Sequence, residues 1–258
     1  MTGPEADAGD GAEIGAATPF SDVAYAERAV YLPAHDALVV ADLHVGRGEA
    51  SAVSLPLGER ADLADRLGAL LDRFDPETVV VAGDAVHTFE RVTDRAAETL
   101  RALREACSAR GAALELVAGN HDAALATAWD GPVREALAME DGGDSTELPR
   151  TTIVCHGHEP PSTPADRYVI GHVHPTIEIE GDRRPCFLSG AGTYRGSDLL
   201  VLPAFTRLAA GVPVNDAATA GLESPLVGDA AALAPVVYDS DRAEPLRFPP
   251  LGEFDRLL

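Results

Sequence analysis

Seven of the eight histidines in this chain lie in or beside short knots of Asp, Asn and Gly, each of which follows an apolar run. In order the knots are Asp42-Leu43-His44, Gly83-Asp84-Ala85-Val86-His87, Gly119-Asn120-His121-Asp122, His156-Gly157-His158 and Gly171-His172-Val173-His174. One Gly-Asp step after a strand is ordinary turn chemistry, and one histidine is more often a packing residue than a ligand. Imidazoles, carboxylates and a carboxamide at five such ends are different. Together they suit a borderline-to-hard divalent ion such as Mn, Fe or Zn, not a thiolate-selected metal. They are too many for one ion with an open position. Two ions about 3.5–4 Å apart, sharing a bridging carboxylate, would use them to clamp a phosphate, activate a water and stabilise the leaving oxygen.

The elements that must position these groups follow from hydrophobic periodicity. Val79-Val80-Val81-Ala82 before Gly83-Asp84 reads as a buried strand that hands a carboxylate to the crevice at its carboxyl edge. Residues 28–32 and 37–41 flank Pro33-Ala34-His35-Asp36 as a hairpin, in which His35 serves the turn and has no other role. The second strand leads to Asp42 and His44, which, two apart on an extended segment, are expected to point the same way. Residues 46–48 are expected as a flexible loop bearing Arg47. Helices are expected over 58–74 and 93–110, with strands over 78–83 and 114–118, the alternation of parallel αβ units. A further helix is expected over 123–139, then an acidic loop over 140–147. Strands follow over 151–155, 168–170, 176–179, 185–188 and 198–202, with turns at 181–182 and 190–192 and a last edge strand over 235–239. The change from αβ alternation to adjacent strands implies a second, more antiparallel sheet packed on the first. The class is therefore α/β, with two packed mixed β-sheets flanked by helices.

Composition sets the boundaries. The chain has 258 residues, 46% of them hydrophobic, and no run of 18 apolar residues, which leaves no candidate for a membrane-spanning helix. Residues 1–16 read as an acidic disordered tail without a signal-peptide pattern, and 17–258 as one domain. Cys107, Cys155 and Cys186 form neither a metal-spaced pair nor a disulfide framework, which suits a reducing cytoplasm; Cys155 and Cys186 are expected in the core. The net charge is −22, and all 20 basic residues are Arg. Such a surface repels itself and polyanions at ordinary ionic strength, but at molar salt the Debye length falls to about 3 Å. The composition points to a halophilic archaeon's cytoplasm, and it makes acidity uninformative about nucleic-acid substrates. Gly46-x-Gly48 lacks the spacing of a nucleotide-binding loop.

The five motifs, in their order, resemble the calcineurin-like metallophosphoesterase superfamily, whose fold is a four-layer α/β/β/α sandwich. The hairpin before Asp42 and the stretch from Leu200-Val201-Leu202-Pro203-Ala204-Phe205 to Pro213-Val214-Asn215 resemble a narrower group. That group comprises the archaeal SbcD-related phosphoesterases and the bacterial ligase-associated DNA-damage-response endonuclease PdeM. The resemblance implies one divalent ion, most often Mn with Fe, Zn, Ni or Mg as alternatives, held by Asp42, His44, Asp84 and His174. It implies a second held by Asp84, Asn120, His156 and His172, with Asp84 bridging and His158 able to replace His156. His121 would act beside the phosphate as general acid or electrostatic stabiliser, oriented by Asp122. His87 matches a histidine that lies near the scissile phosphate in SbcD-like nucleases. Arg47 and, more weakly, Arg195 are candidates for a phosphate contact.

The resemblance implies a metal-dependent hydrolase of phosphate esters, with DNA as one substrate and homodimerisation as a common habit of the superfamily. Three functions compete: a nuclease-like phosphodiesterase, a small-molecule phosphomonoesterase or cyclic-nucleotide phosphodiesterase, and a non-catalytic metal-bound scaffold in a repair complex. The missing basic stripe and aromatic ladder favour the second. The complete ligand set with His121 disfavours the third.

Overall fold

The structure, a computed structural model, describes residues 19–50, 58–88, 90–141 and 150–256. The expected N-terminal tail and residues 142–147 of the expected acidic loop lie outside these residues.

Six strands form the first sheet in sequence order: β1 (Ala24–Ala26), β2 (Ala29–Leu32), β3 (Ala37–Val40), β4 (Thr78–Ala82), β5 (Ala113–Val117) and β6 (Val133–Arg134). The first three are antiparallel; β3 to β6 are parallel. A one-turn α1 (Arg47–Ala50) and the long α2 (Glu59–Phe74) connect β3 to β4, and α3 (Asp94–Ser108) connects β4 to β5. Thr93 caps α3 by accepting the Ala96 N–H at 3.1 Å.

The remaining strands are β7 (Ala136–Glu140), β8 (Thr151–Cys155), β9 (Arg167–Ile170), β10 (Pro175–Ile179), β11 (Asp182–Pro185), β12 (Phe187–Tyr194), β13 (Ser197–Val201), β14 (Val212–Pro213), β15 (Ala234–Asp239) and β16 (Glu244–Arg247). Seven of them make a mixed sheet in the order β16-β15-β12-β13-β9-β8-β7, and β11-β10-β14 make a small third sheet.

Period-two alternation sorts the side chains into layers. Leu38, Val40, Val79 and Val81 face Leu63, Leu67, Leu100 and Leu103 of α2 and α3. Val39, Val80 and Ala82 face the second sheet's Val154, Val169, Leu200 and Val236. Ile153, Tyr168, Ile170, Leu199 and Val201 face outward, under Leu226, Leu233 and Leu251. Each strand buried on both faces must therefore be a continuous apolar run, and each large side chain so buried contributes about 1.5–3 kcal/mol. Cys155 and Cys186 are buried in the layer beneath the second sheet's outer cover. That cover consists of the one-turn α4 (Ala217–Ala220), short 3-10 turns and coil, while the long helices lie over the first sheet.

Four local expectations are corrected. Residues 123–139 form no long helix: a 3-10 turn, Asp122–Thr127, is followed by β6 and β7. Gly131-Pro132 stops helical continuation. Beyond it Leu137 and Met139 pack between the sheets while Ala136 faces the other way, a strand's alternation. Residues 46–48 are not simply a loop, since Arg47 opens α1. Residues 190–192 continue β12 through an irregularity in its pairing with β13 rather than turning. Finally, β15 lies inside its sheet, and β16 forms the edge.

Candidate metal centre

Strands β3, β4 and β5 of one sheet and β8 and β9 of the other end at a common edge, and the chemistry lies in the residues just past those ends. The segments after β3 and β4 stay hydrogen-bonded there: Asp42 N–H to Gly83 O at 3.1 Å, His44 N–H to Asp84 O at 2.9 Å, and His87 N–H to Val45 O at 3.0 Å. Asp42 and His44 do not reach the site by strand alternation. Both have left-handed backbones (φ 56° and 45°), as do Asp84 (49°), His172 (68°) and His174 (51°). Non-glycine residues pay roughly 1–3 kcal/mol for such conformations, which persist where the surrounding structure enforces them, most often at functional sites.

Close approach also dictates two glycines. A Cβ on Gly83 (φ 82°) would fall 2.2 Å from His156 Nδ1, and one on Gly119 would fall 2.1 Å from Asp84 Oδ1. The ligand-bearing loops touch at these glycines, so each motif's glycine makes room for another motif's side chain.

The side chains converge through lone pairs. His174 Nε2 lies 3.0 Å from Asp42 Oδ1 and 3.3 Å from His44 Nε2, which is 3.7 Å from Asp84 Oδ2. On the other side of Asp84, His156 Nε2 lies 3.4 Å from Asp84 Oδ1, 3.0 Å from Asn120 Oδ1 and 3.2 Å from His172 Nδ1. His156 Nδ1 is 3.1 Å from Ala82 O, so it donates there and leaves Nε2 with its lone pair facing those atoms. Asp42 accepts the His172 N–H, and Asp84 Oδ1 accepts the His121 N–H at 2.9 Å. Asp84 thus stands between two groups of acceptors.

The burial of these groups sets their protonation. Asp42 is 0% exposed and Asp84 2% exposed. Burial, reinforced by the Asp42 charge, pushes Asp84 up to about 8. Burial would also raise Asp42, but the neighbouring His174 outweighs it and the carboxyl falls below its ordinary value. Against its own burial, His174 is raised by the Asp42 carboxylate. The upward direction of both Asp84 and His174 marks a buried place that favours positive charge. Burial lowers His44 to about 3 and His156 to about 4, so both are neutral imidazoles with lone pairs available at pH 7. Convergent acceptors, buried carboxylates and neutral imidazoles fit divalent cations.

His121 and His87 border this cluster. His121 Nε2 is 3.9 Å from Asp84 Oδ2, and the two rings stack at 5.7 Å with 15° between planes. His44, His87 and His121 bring ring nitrogens within 4.8 Å of one another. Burial lowers the pKa of both His87 and His121. The oxygens of Asp122 accept the backbone N–H groups of Ala85 (3.2 Å), Val86 (3.0 Å) and Gly119 (2.8 Å). It ties the Asp84 loop to the Asn120 loop that carries His121.

The other candidates separate clearly. The ring of His158 is 5.2 Å from that of His156 and 6.1 Å from that of His172, beside the cluster rather than at its convergence. Arg47 lies near enough to act electrostatically on His87, His121 and His174, and its Nε donates to Leu208 O at 3.2 Å. Arg195 sits in the turn before β13, against Tyr194, at the end of the sheet opposite His172. His35 faces Asp141 at 3.2 Å before β3, also away from the site. A residue the motifs did not flag is Glu59, which accepts the N–H groups of Gly46 (3.1 Å) and Gly48 (3.3 Å) and so holds the loop after His44. Its position in the first turn of α2 is the available signal.

A family model for calcineurin-like phosphoesterases matches residues 36–198, which contain all five motifs. The chain belongs to this family. It is accordingly a metal-dependent phosphoric ester hydrolase, of a family that uses divalent metals. Among solved structures it is similar to the Pseudomonas putida nuclease MPE, at 27% identity and a TM-score of 0.55, over 85% of this chain and 92% of that one. The E. coli phosphoesterase Yfce is 16% identical with a TM-score of 0.39, over 80% of this chain and 88% of its own. Comparison with curated proteins finds no match. No helix among the described residues is long and apolar enough to cross a membrane.

Proposed function

We propose that this phosphoesterase is a two-metal phosphodiesterase acting on nucleic acid. The observation that carries the two-metal reading is the placement of Asp84 between two sets of acceptors, His44–His174–Asp42 and Asn120–His156–His172. Asp42, His44, Asp84 and His174 would hold one ion, and Asp84, Asn120, His156 and His172 the other. When bound, the ions supply charge neutralisation for the phosphate and an activated water at neutral pH.

The chain's own residues do the rest. His121, held neutral by burial, donates an N–H to the phosphate or leaving oxygen instead of presenting a full charge. Asp122 positions it by anchoring the loops on either side. His87, stacked on His121, extends the polar edge beyond the reacting phosphate to where the second ester group of a diester would lie. Similarity to the P. putida nuclease supports diester chemistry, as does the resemblance of the hairpin before Asp42, residues 200–215 and His87 to the archaeal SbcD-related phosphoesterases and PdeM. Mn is the proposed metal, residues 17–258 the proposed single domain, and a high-salt cytoplasm the proposed setting.

A small phosphomonoester or cyclic nucleotide is the second reading, favoured by a sequence with no basic stripe or aromatic ladder of the kind single-strand binders use. A substrate panel with Mn in molar salt separates the two. Cleavage of DNA and bis(p-nitrophenyl) phosphate is expected; rapid monoester hydrolysis beside intact DNA would overturn the nucleic-acid reading.

A further inference from the structure

The site does not end at the ligands. On the far side of His174 a groove of about 190 Å³ runs along the start of β10, with Arg28, Thr176 and Arg183 in its walls and no carboxylate among its lining residues. On a chain of net charge −22 this is an unusual surface. Arg28 reaches in from before β2 and donates to Ala204 O at 2.8 Å and Thr206 O at 2.9 Å, which fixes its charge beneath the backbone there. Arg183, exposed on β11, enters no salt bridge among the described residues. Thr176 is 9% exposed, and its buried hydroxyl has no hydrogen-bond partner among the described residues. A buried donor without an acceptor is costly unless a ligand satisfies it. A guanidinium outside any salt bridge among the described residues, the half-buried Arg28 cation and the Thr176 hydroxyl beside His174 match the oxygens of a tetrahedral anion.

We propose that this groove is a subsite for a second, non-scissile phosphate, so that the preferred substrate carries at least two phosphodiester groups. The proposal rests on the phosphodiesterase reading and names its substrate class more narrowly: an oligonucleotide rather than a single diester. High salt does not remove such a contact. At a Debye length of about 3 Å long-range steering is lost, while a hydrogen-bonded guanidinium–phosphate pair keeps most of its strength.

The test compares bis(p-nitrophenyl) phosphate, which has one phosphate, with hexathymidylate, which has several, using wild type, Arg183→Gln and Arg195→Gln. Arg183→Gln is expected to raise KM for hexathymidylate about tenfold, the loss of one charge-assisted contact, with the one-phosphate substrate unaffected. Arg195→Gln, at the other end of the sheet, should change neither. Equal effects of Arg183→Gln on both substrates, or none on either, would overturn the subsite. If wild type leaves hexathymidylate uncut, the nucleic-acid reading fails by itself. The subsite is then read from hexathymidylate as an inhibitor of bis(p-nitrophenyl) phosphate hydrolysis. A Ki about tenfold weaker in Arg183→Gln supports it; equal Ki values refute it.

Discussion

Loading metal into the stripped protein should expel protons, and their number follows from the geometry of Asp84. This carboxyl is buried beside Asp42 and pushed up to about 8, so at pH 7 roughly 0.9 of it is protonated. A metal ligand must be deprotonated, so that proton has to leave. His174, raised above its ordinary value by Asp42 at 3.0 Å, adds to the release in the same direction. His44 and His156 contribute none, being neutral already. The expected release at pH 7 is thus about one proton per chain from Asp84, with the His174 share added to it. At pH 9 the Asp84 share falls to about 0.1. Calorimetric titration with Mn in two buffers of different ionisation enthalpy measures the number directly. Asp84→Asn should remove the larger share. Release below a few tenths at pH 7, or the same release at pH 7 and 9, would refute the protonation scheme.

Other consequences are testable with single variants. Gly83→Ala places a Cβ 2.2 Å from His156 Nδ1, and metal affinity measured by competition with a chelating dye should fall at least about tenfold. Asp122→Ala strips an acceptor from three backbone N–H groups; chemical denaturation should show a loss of about 3 kcal/mol or more, with hydrolysis reduced through displacement of the His121 loop. In the metal-free protein the folded-state pKa values of Asp84 and His174 lie above their unfolded values. The folded state then binds more protons, so stability should fall as pH rises from about 6.5 to about 8. Thermal melts in chelator should show this decline, and melts with Mn should lack it.

The parts legible from sequence and the parts that were not differ for physical reasons. Val79-Val80-Val81 could be read as a strand because burial on both faces demands an unbroken apolar run, and the polar knot after it could be read as a site because nothing in packing calls for it. Residues 133–140 misled because Ala, Leu, Met and Glu are good helix formers; pairing of β7 with β8 overrides that preference. The left-handed backbones of Asp42 and His44 have no local cause, since they are imposed by contacts with the loop after β4. The backbone partners of Asp122 at Ala85 and Val86 are remote in sequence, and so its role was invisible. Arg195, like Arg47, lies close after a glycine, but β12 and β13 carry it to the opposite end of the sheet.

The central claim is that Asp84 joins two metal ions. Counting Mn per chain by elemental analysis after saturation and desalting, in wild type and in Asp84→Asn, tests it most directly. Two ions in wild type, with one or none in Asp84→Asn and loss of bis(p-nitrophenyl) phosphate hydrolysis, is the expected result. One ion in saturated wild type, or both retained in Asp84→Asn, would contradict it.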